Sequence, residues 1–399
     1  MTADIDEFTT PRPIAGWRVV FTTFCMAVGA WGLGFYSLSV YVQYLSAAGR
    51  FSVPLLSTAT SYFFLLGAAA LYGVEAVVRR LGRRRVVMGG VVLMAGSVSA
   101  LAWVPNAGWL FVAYGGMACG WAAISGTAIT QIVGEWFDRR RGLALNLALT
   151  GASASGVFVV PALVWGIDHV GLAAGMTTAA AVIAVALLVL LYFNLVEADR
   201  AAPPSSGAAA TGAPPALRFD ARLTLLCALF AIGWLAQVAF LAQQLPLLVP
   251  KVGTATATLA VALTTVSSLL GRLLLASIMD RVDHRRATFA SFALQACGMA
   301  LMVASDAPAW VVAGSCLVGA SVGNVITLPA MFAQREFAPP LYGPVVTRIW
   351  SIGQVLFAFG PMAAGLLQSA TGSPQATLLA CFVCQAAAAV LALVRPRRR

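Results

Sequence analysis

Long apolar runs alternate with short polar or basic stretches along almost the whole chain. Most runs hold about 18 to 25 residues, enough to cross a hydrocarbon core about 30 Å thick at about 1.5 Å per helical residue. The pattern predicts an all-α membrane protein with twelve transmembrane helices, near 16–45, 53–78, 86–104, 109–133, 143–167, 173–195, 222–248, 257–279, 287–304, 309–333, 345–368 and 375–394.

The amino-acid composition excludes several classes of protein. Of the 399 residues, 60% are apolar and only 10% are charged, whereas roughly a quarter of the residues are charged in a soluble domain. Soluble enzymes, soluble nucleic-acid-binding proteins and disordered chains are therefore excluded.

A polar break at 196–221 divides the predicted helices into two sets of six. The break is rich in Ala, Pro, Ser and Gly, a composition that cannot bury a core and is typical of a flexible linker. We therefore predict an N-terminal six-helix bundle over 1–195, a cytoplasmic linker over 196–221 and a C-terminal six-helix bundle over 222–399.

The basic residues are unevenly distributed between the two sets of loops. With the N-terminus in the cytoplasm, 21 of the 25 Lys and Arg residues fall on the cytoplasmic side, and the opposite side has only Arg50 and Lys251. Because basic residues in short loops mark the cytoplasmic side, we predict a multi-pass protein of the cell (inner) membrane with both termini in the cytoplasm. The net charge of +11 therefore requires no nucleic-acid partner.

An internal repeat appears when the chain is shifted by about 200 residues. The segment 81–85 then falls on 282–286, Trp109 on Trp310 and Pro161 on Pro361. Two halves of the same orientation are typical of transporters whose substrate site lies between them. We therefore predict two pseudo-symmetric bundles that expose a central site to each side of the membrane in turn.

The loop after the second predicted helix carries part of a signature, Gly-x-x-x-Asp-(Arg/Lys)-x-Gly-(Arg/Lys)-(Arg/Lys). Its end is matched by Gly82, Arg83 and Arg84, while Glu75 and Arg79 stand at the positions of the first Gly and the Asp. On this signature, the helix count and the repeat, the chain resembles the major facilitator superfamily over essentially its full length. The resemblance implies a gating role for this loop.

A second copy of the signature follows the eighth predicted helix. It keeps Asp280 and Arg281 and ends in Arg285 and Arg286, with Asp283 in place of the Gly. The resemblance implies that Asp280 and Arg281 also belong to the gating residues.

A narrower resemblance comes from the segment 136–145, Trp-Phe-Asp-Arg-Arg-Arg-Gly-Leu-Ala-Leu, and from the pair Gly271–Arg272. Both are similar to the monocarboxylate porter and oxalate–formate antiporter branch of the superfamily. The branch implies small organic anions as substrates and adds Asp138 and Arg139 to the gating residues. The chain departs from the branch at Ser268, where an acidic residue would stand one turn before the eighth-helix arginine.

The strongest candidate for binding an anion is Arg272, because a charge within a transmembrane segment is costly and is by default functional. Thr264, Ser268 and Arg272 recur every four residues and therefore share one face of a helix. A guanidinium also offers two parallel donors that fit a carboxylate. The alternative is structural: an arginine bonded to helix-end carbonyls that locks two helices together.

Other polar residues are weaker candidates for substrate binding. Arg348 lies a few residues into the eleventh helix, where a long side chain can equally snorkel to the interface. Helix-packing hydrogen bonds explain single polar residues as well as substrate contacts do. This group contains Arg348, Gln354, Tyr36, Asn146 and Asn324.

The acidic residues and histidines leave no deep proton relay in the sequence. Only Glu75 lies within a span, near its cytoplasmic end, while His169 and His284 fall in loops. A coupling proton would therefore enter on the substrate carboxylate beside Arg272, or transport would proceed by exchange for a counter-anion. No metal, cofactor or catalytic residue is predicted, and the protein is expected to act as a monomer in the lipid bilayer.

These features predict a secondary active or facilitative transporter of small organic anions, with monocarboxylates as the expected substrates. A drug or cation exporter of the same superfamily is the alternative, although that class typically needs an acid deep in the membrane to hold a cation. A membrane-embedded enzyme or receptor is a further alternative. It would require a nucleophile–base pair or metal ligands, which the two loop histidines do not supply.

Overall fold

The computed structural model describes residues 13–137, 141–195, 219–278, 282–338 and 341–395, and these form helices joined by short turns, with no strand among them. Helices satisfy every backbone polar group within the segment, which a lipid environment demands. The first bundle contains α1 (Pro13–Trp31, a π-helical turn Gly32–Tyr36, and Leu38–Ala47), α2 (Val53–Leu81), α3 (Arg83–Leu101), α4 (Ala107–Ile124 and Gly126–Trp136), α5 (Arg141–Val170) and α6 (Leu172–Asn194).

The second bundle repeats this order. It contains α7 (221–252) and α8 (254–278), which form one continuous segment Ala221–Ile278, followed by α9 (His284–Ala304), α10 (Pro308–Val322 and Asn324–Glu336), α11 (Tyr342–Ala358 and Gly360–Thr371) and α12 (Pro374–Leu393).

The described helices confirm the predicted twelve spans once one long segment is divided. Eleven segments are long and apolar enough to cross a membrane, and one of them covers 55 residues, from Ala221 to Leu275. Gly253 inside it has a φ of 75°, a left-handed conformation that ends one helix and begins the next. Gly82, with a φ of 82°, makes the turn between α2 and α3. The linker at 196–218 lies outside the described residues, so the bundle boundaries stay a prediction.

Short turns make consecutive helices antiparallel, so the loops fall on two sides of the molecule. We call the side with the turns at 82 and 282–283 and with both described ends the basic side, and the opposite one, with the turns at 171, 253 and 372, the far side. Assignment of the basic side to the cytoplasm remains the prediction made from the loop charges.

The two bundles meet along α2 with α11, α5 with α8, and the second part of α1 with α7. Two hydrogen bonds of the described residues cross the interface, and both lie in the far-side half. The Gln243 amide Nε2 donates to the Ser57 hydroxyl, and the Met362 backbone N–H donates to the Ser61 hydroxyl at 3.0 Å. The structure is therefore closed on its far side.

Two helices at similar places in the repeat are interrupted in their middle. In α4 the interruption is Ser125, which has an extended backbone (φ −86°, ψ −160°), whereas in α10 it is a single turn at Gly323 whose backbone angles stay helical (φ −67°, ψ −30°). In transporters, discontinuous helices of this kind commonly line the substrate site.

Candidate functional site

Close packing of α8 on α10 positions the Arg272 side chain. A Cβ added to Gly271 would collide with the Ala320 carbonyl, so only glycine lets the two backbones approach this closely. A Cβ added to Gly323 would lie 2.8 Å from Arg272 Nε and 3.1 Å from Nη2. The guanidinium therefore lies directly over the interruption of α10, in the space left by the missing side chain.

Arg272 has no acidic partner among the residues that the structure describes. Its Nε is buried and has no hydrogen-bond partner there either. Its charge lies near enough to the Tyr36 hydroxyl, on the other bundle, to act on it electrostatically. Because an uncompensated charge within the membrane is costly, this arrangement suits an anion that binds between the bundles.

Asn324 follows Gly323 directly and therefore lies next to the region where the Arg272 guanidinium packs. The residue is only 9% exposed, and its Nδ2 donates to the Ala320 carbonyl at 3.2 Å. This bond fixes the orientation of the amide, and the Oδ1 acceptor stays buried without a partner among the described residues. The second bundle therefore presents one donor and one acceptor, both unpaired, at adjacent positions.

The first bundle faces this region with aromatic rings. Phe35 packs edge-on against Tyr36 at 5.3 Å and against Phe64 at 5.8 Å between ring centroids. Phe64 in turn contacts Phe357 of α11 across the bundle interface at 5.8 Å. These described rings thus form an apolar chain that starts beside Tyr36 and crosses the bundle interface to α11.

Thr264 and Ser268, which share a face with Arg272 in the sequence, are 1% and 2% exposed. The Thr264 hydroxyl accepts from Gln244 Nε2 at 2.9 Å and lies 3.3 Å from the Ser315 carbonyl. The Ser268 carbonyl lies against Gly323. Both residues therefore lie in the contact between α8 and α10, next to the guanidinium. The Thr264 hydroxyl is already hydrogen-bonded to groups on α7 and α10.

Arg348 lies apart from Arg272. Its guanidinium stacks over the Phe219 ring at 5.1 Å, beside the start of α7 on the basic side, and the residue is exposed. Gln354, six residues further along α11, is half-buried. The guanidinium thus lies where the snorkelling alternative places it.

Several predicted residues fall outside the description. Asp138, Arg139, Asp280 and Arg281 lie outside the described residues, and Asn146 lies in a described helix whose side chain at that position is not described. Their roles stay predictions.

The predicted gating residues of the first bundle lie at the basic side. Arg83 forms an ion pair with Glu135 at the end of α4, and the Arg84 guanidinium stacks over the Tyr192 ring at 4.8 Å. Gly82 supplies the turn that brings both arginines to these partners. The loop therefore ties α3 to α4 and α6.

The second bundle has a denser ion cluster at the equivalent place, which the sequence did not reveal. Glu336, at the end of α10, accepts from Arg285 Nε at 2.8 Å and Nη2 at 2.9 Å, and pairs with His284 Nε2 at 2.7 Å. The repeat carried the signal, because Glu135 and Glu336 are 201 residues apart, the offset that relates the two loops.

Asp283 caps the N-terminus of α9, where the first bundle has Gly82. Its Oδ1 accepts from the backbone N–H groups of Arg285 at 3.0 Å and Arg286 at 3.1 Å. Partial burial acts to raise the pKa of this carboxyl, but the two N–H groups and the neighbouring His284 and Arg395 side chains hold it below its usual value.

A comparison with protein families gives one match over most of the chain. The family described as Major Facilitator Superfamily matches residues 19–361.

Curated relatives and solved structures add two kinds of likeness. The chain is 31% identical to mouse monocarboxylate transporter 9 over 153 residues, which cover 37% of this chain and 29% of that protein. It is also 31% identical to human monocarboxylate transporter 11 over 214 residues, which cover 51% of this chain and 45% of that protein. The aligned parts span less than half of either relative. The crystal structure of the nucleoside transporter NupG superimposes with a TM-score of 0.73 over 95% of this chain and 97% of that one, at 12% identity, which shows a common fold.

Proposed function

The chain belongs to the major facilitator superfamily, and we propose that it is a secondary active or facilitative transporter of small organic monocarboxylates. It is a multi-pass membrane protein that moves a small molecule across the bilayer, and not an enzyme. In our proposal the substrate binds between the two bundles, which expose it to each side of the membrane in turn.

The observation that carries the proposal is the Arg272 guanidinium over Gly323, without an acidic partner among the described residues. A carboxylate would supply the missing counter-charge through two parallel hydrogen bonds. Two relatives named as monocarboxylate transporters support this substrate class.

A single deep cation favours a monocarboxylate over a dicarboxylate. Arg348, the other arginine within a span, stacks on Phe219 at the basic side. Beside Tyr36, the rings of Phe35, Phe64 and Phe357 form an apolar chain across the bundle interface, which suits the apolar end of a small acid and, among the described residues, offers no second cation.

The remaining parts of the proposal follow from the sequence. We propose that the basic side is cytoplasmic, that the protein acts as a monomer in the cell membrane, and that the substrate either carries its own proton or exchanges for another anion. Among the described residues, Arg272 then serves as the one fixed charge that the substrate meets.

The test is uptake by the purified protein in liposomes. The panel contains labelled propanoate, 2-hydroxypropanoate, succinate and a cationic dye, each with and without a pH gradient. We expect uptake of the two monocarboxylates, with little uptake of succinate or the dye. Uptake of the dye alone would overturn the proposal in favour of a cation exporter.

A charge-matched pair of variants sharpens this test. Arg272→Gln should abolish uptake of the monocarboxylates, whereas Arg18→Gln removes the same charge from an exposed position near the basic-side end of α1 and should leave uptake unchanged. Equal uptake by the parent and Arg272→Gln would also contradict the proposal.

A further inference from the structure

Two buried polar atoms of opposite kind lie at adjacent places beside the proposed anion site. Nε of Arg272 is a donor and Oδ1 of Asn324 is an acceptor, and neither has a partner among the described residues. Arg272 lies over Gly323, the residue directly before Asn324. The two groups do not pair with each other, so each is left to bind something else.

The Asn324 acceptor cannot be exchanged for a donor by turning the amide over. Nδ2 donates to the Ala320 carbonyl at 3.2 Å, and a reversed amide would place two acceptors against each other. Oδ1 is thus held at the site as an acceptor by the α10 backbone. A buried acceptor without a partner is costly, which favours a ligand that supplies a donor.

A simple carboxylate does not meet this requirement. Its two oxygens are acceptors when it is ionised, so they fit Arg272 but leave Asn324 Oδ1 unpaired and would repel it at close range. A ligand that carries a hydrogen-bond donor on the carbon next to the carboxylate satisfies both protein groups at once. The Tyr36 hydroxyl, opposite, can donate or accept and excludes neither arrangement.

Charge decides which donor fits. An ammonium group would be a second cation near Arg272, and the ion pairs of the described residues place no carboxylate there to hold it. A hydroxyl donates without adding charge. The site therefore favours a hydroxyl over an amine.

We propose that Asn324 is a specificity-determining residue, whose Oδ1 accepts a hydrogen bond from the hydroxyl of a 2-hydroxy monocarboxylate held by Arg272. The inference rests on the proposed function and adds to it the chemical group next to the carboxylate. It makes 2-hydroxy acids better ligands than the unsubstituted, 2-oxo or 2-amino acids of the same length.

The experiment compares matched ligands on the purified full-length protein in lipid nanodiscs. Dissociation constants are measured by calorimetry for 2-hydroxypropanoate, propanoate, 2-oxopropanoate and alanine. We expect 2-hydroxypropanoate to bind about ten- to a hundredfold more tightly than the other three, the range for leaving one buried acceptor unpaired.

Variants then assign the preference to one residue. Asn324→Ala should bring the ratio of 2-hydroxypropanoate to propanoate affinity close to one, chiefly by weakening the hydroxy acid. Asn194→Ala removes an amide whose Nδ2 donates to Thr22 at 2.9 Å within the first bundle, and it should keep the ratio of the parent. Arg272→Gln should weaken both acids alike.

The outcomes separate the two proposals. If the parent binds all the monocarboxylates equally, or if Asn324→Ala keeps the preference, the role of Asn324 is overturned while the carboxylate site stands. If the parent binds no carboxylate, both proposals fall. If Asn324→Ala does not fold, the parent ratio and the shorter acceptor in Asn324→Ser decide, because the serine variant should keep part of the preference.

Discussion

The two bundles share one fold but present different chemistry to each other. In mid-membrane the second bundle carries a guanidinium over Gly323 and a buried amide at Asn324, whereas the first carries rings such as Phe35 and Phe64. The duplicated helices have thus diverged where the two bundles face each other. In our proposal the second bundle supplies charge and hydrogen bonds to the substrate, and the first supplies an apolar surface.

The same asymmetry extends to the basic side. Arg83 and Glu135 form a single ion pair whose side chains are 20% and 27% exposed. Arg285 and Glu336 are 6% and 13% exposed and share a fork of two hydrogen bonds, with His284 as a third partner. The bundle that carries the proposed anion site is therefore also the one with the more buried ion pairs at this side.

The largest expected effect comes from breaking the buried cluster. Glu336→Gln should destabilise the protein by about 3–5 kcal/mol, because it leaves Arg285 buried without its counter-charge. Glu135→Gln, the equivalent change in the first bundle, should cost only about 0–1 kcal/mol, because that pair is partly exposed. Thermal unfolding of both variants in detergent measures the difference, and equal losses would refute the asymmetry.

A smaller effect is expected from filling the space under Arg272. Gly323→Ala should push the guanidinium, the end of a flexible side chain, and weaken carboxylate binding roughly tenfold, or about 1.4 kcal/mol. The added Cβ would also lie 3.1 Å from the Ser268 carbonyl, so a modest loss of stability should accompany the weaker binding. Gly126→Ala is the matched control at the interruption of α4, where a Cβ meets only Trp31 at an ordinary 3.5 Å. Calorimetric binding to both variants checks this, and equal affinities would show that the guanidinium does not depend on Gly323.

The far-side closure should respond to the loss of one hydrogen bond. Ser57→Ala removes the acceptor of Gln243 and should shift the equilibrium toward far-side opening by about 1 kcal/mol, roughly fivefold. Ser99→Ala, which removes only a bond within its own helix at 2.9 Å, should have no such effect. Hydrogen exchange at the far-side ends of α2 and α11 reports the opening, and unchanged exchange in Ser57→Ala would mean that the bond does not hold the interface.

The smallest expected effect concerns pH and again separates the bundles. Because the pKa of Asp283 is lowered in the folded state, its stabilisation is present above the usual pKa, about 3.9, and is lost as the pH falls through the lower folded value. Asp283→Asn keeps a capping oxygen without the charge and should flatten this dependence. Unfolding midpoints of both proteins between pH 5 and pH 2 measure this pH dependence. The parent and the variant should differ most near pH 5. Parallel curves would rule out the cap as the cause.

The sequence was sufficient for the fold because the relevant signals are long. Twelve apolar runs and a repeat of about 200 residues identify helices and their order without any knowledge of packing. The apolar pattern also separates α7 from α8, which form one continuous segment in the structure and are divided there at Gly253.

The candidate site was harder to predict from the sequence than the fold. Helical periodicity shows which residues share a face, but it does not show which helix or ligand that face contacts. Thr264, Ser268 and Arg272 share a face, yet Gly271 and Gly319 draw α8 so close to α10 that the first two are buried in the contact. Only the long arginine side chain reaches beyond it. The Asn324 acceptor is free because the Nδ2 of the same amide donates to the Ala320 carbonyl. Residue spacing in the sequence does not distinguish this hydrogen bond from ordinary helix packing.

The central claim is that Arg272 binds the substrate carboxylate, and direct binding to its variants tests it. Calorimetric titration of 2-hydroxypropanoate in nanodiscs should show strongly reduced affinity for Arg272→Lys, which keeps the charge but lacks the planar fork. Arg272→Gln should lose about 2–5 kcal/mol, roughly thirtyfold or more, with the protein still folded. If Arg272→Gln binds the acid as the parent does, Arg272 is a structural link between α8 and α10, and the anion site lies elsewhere.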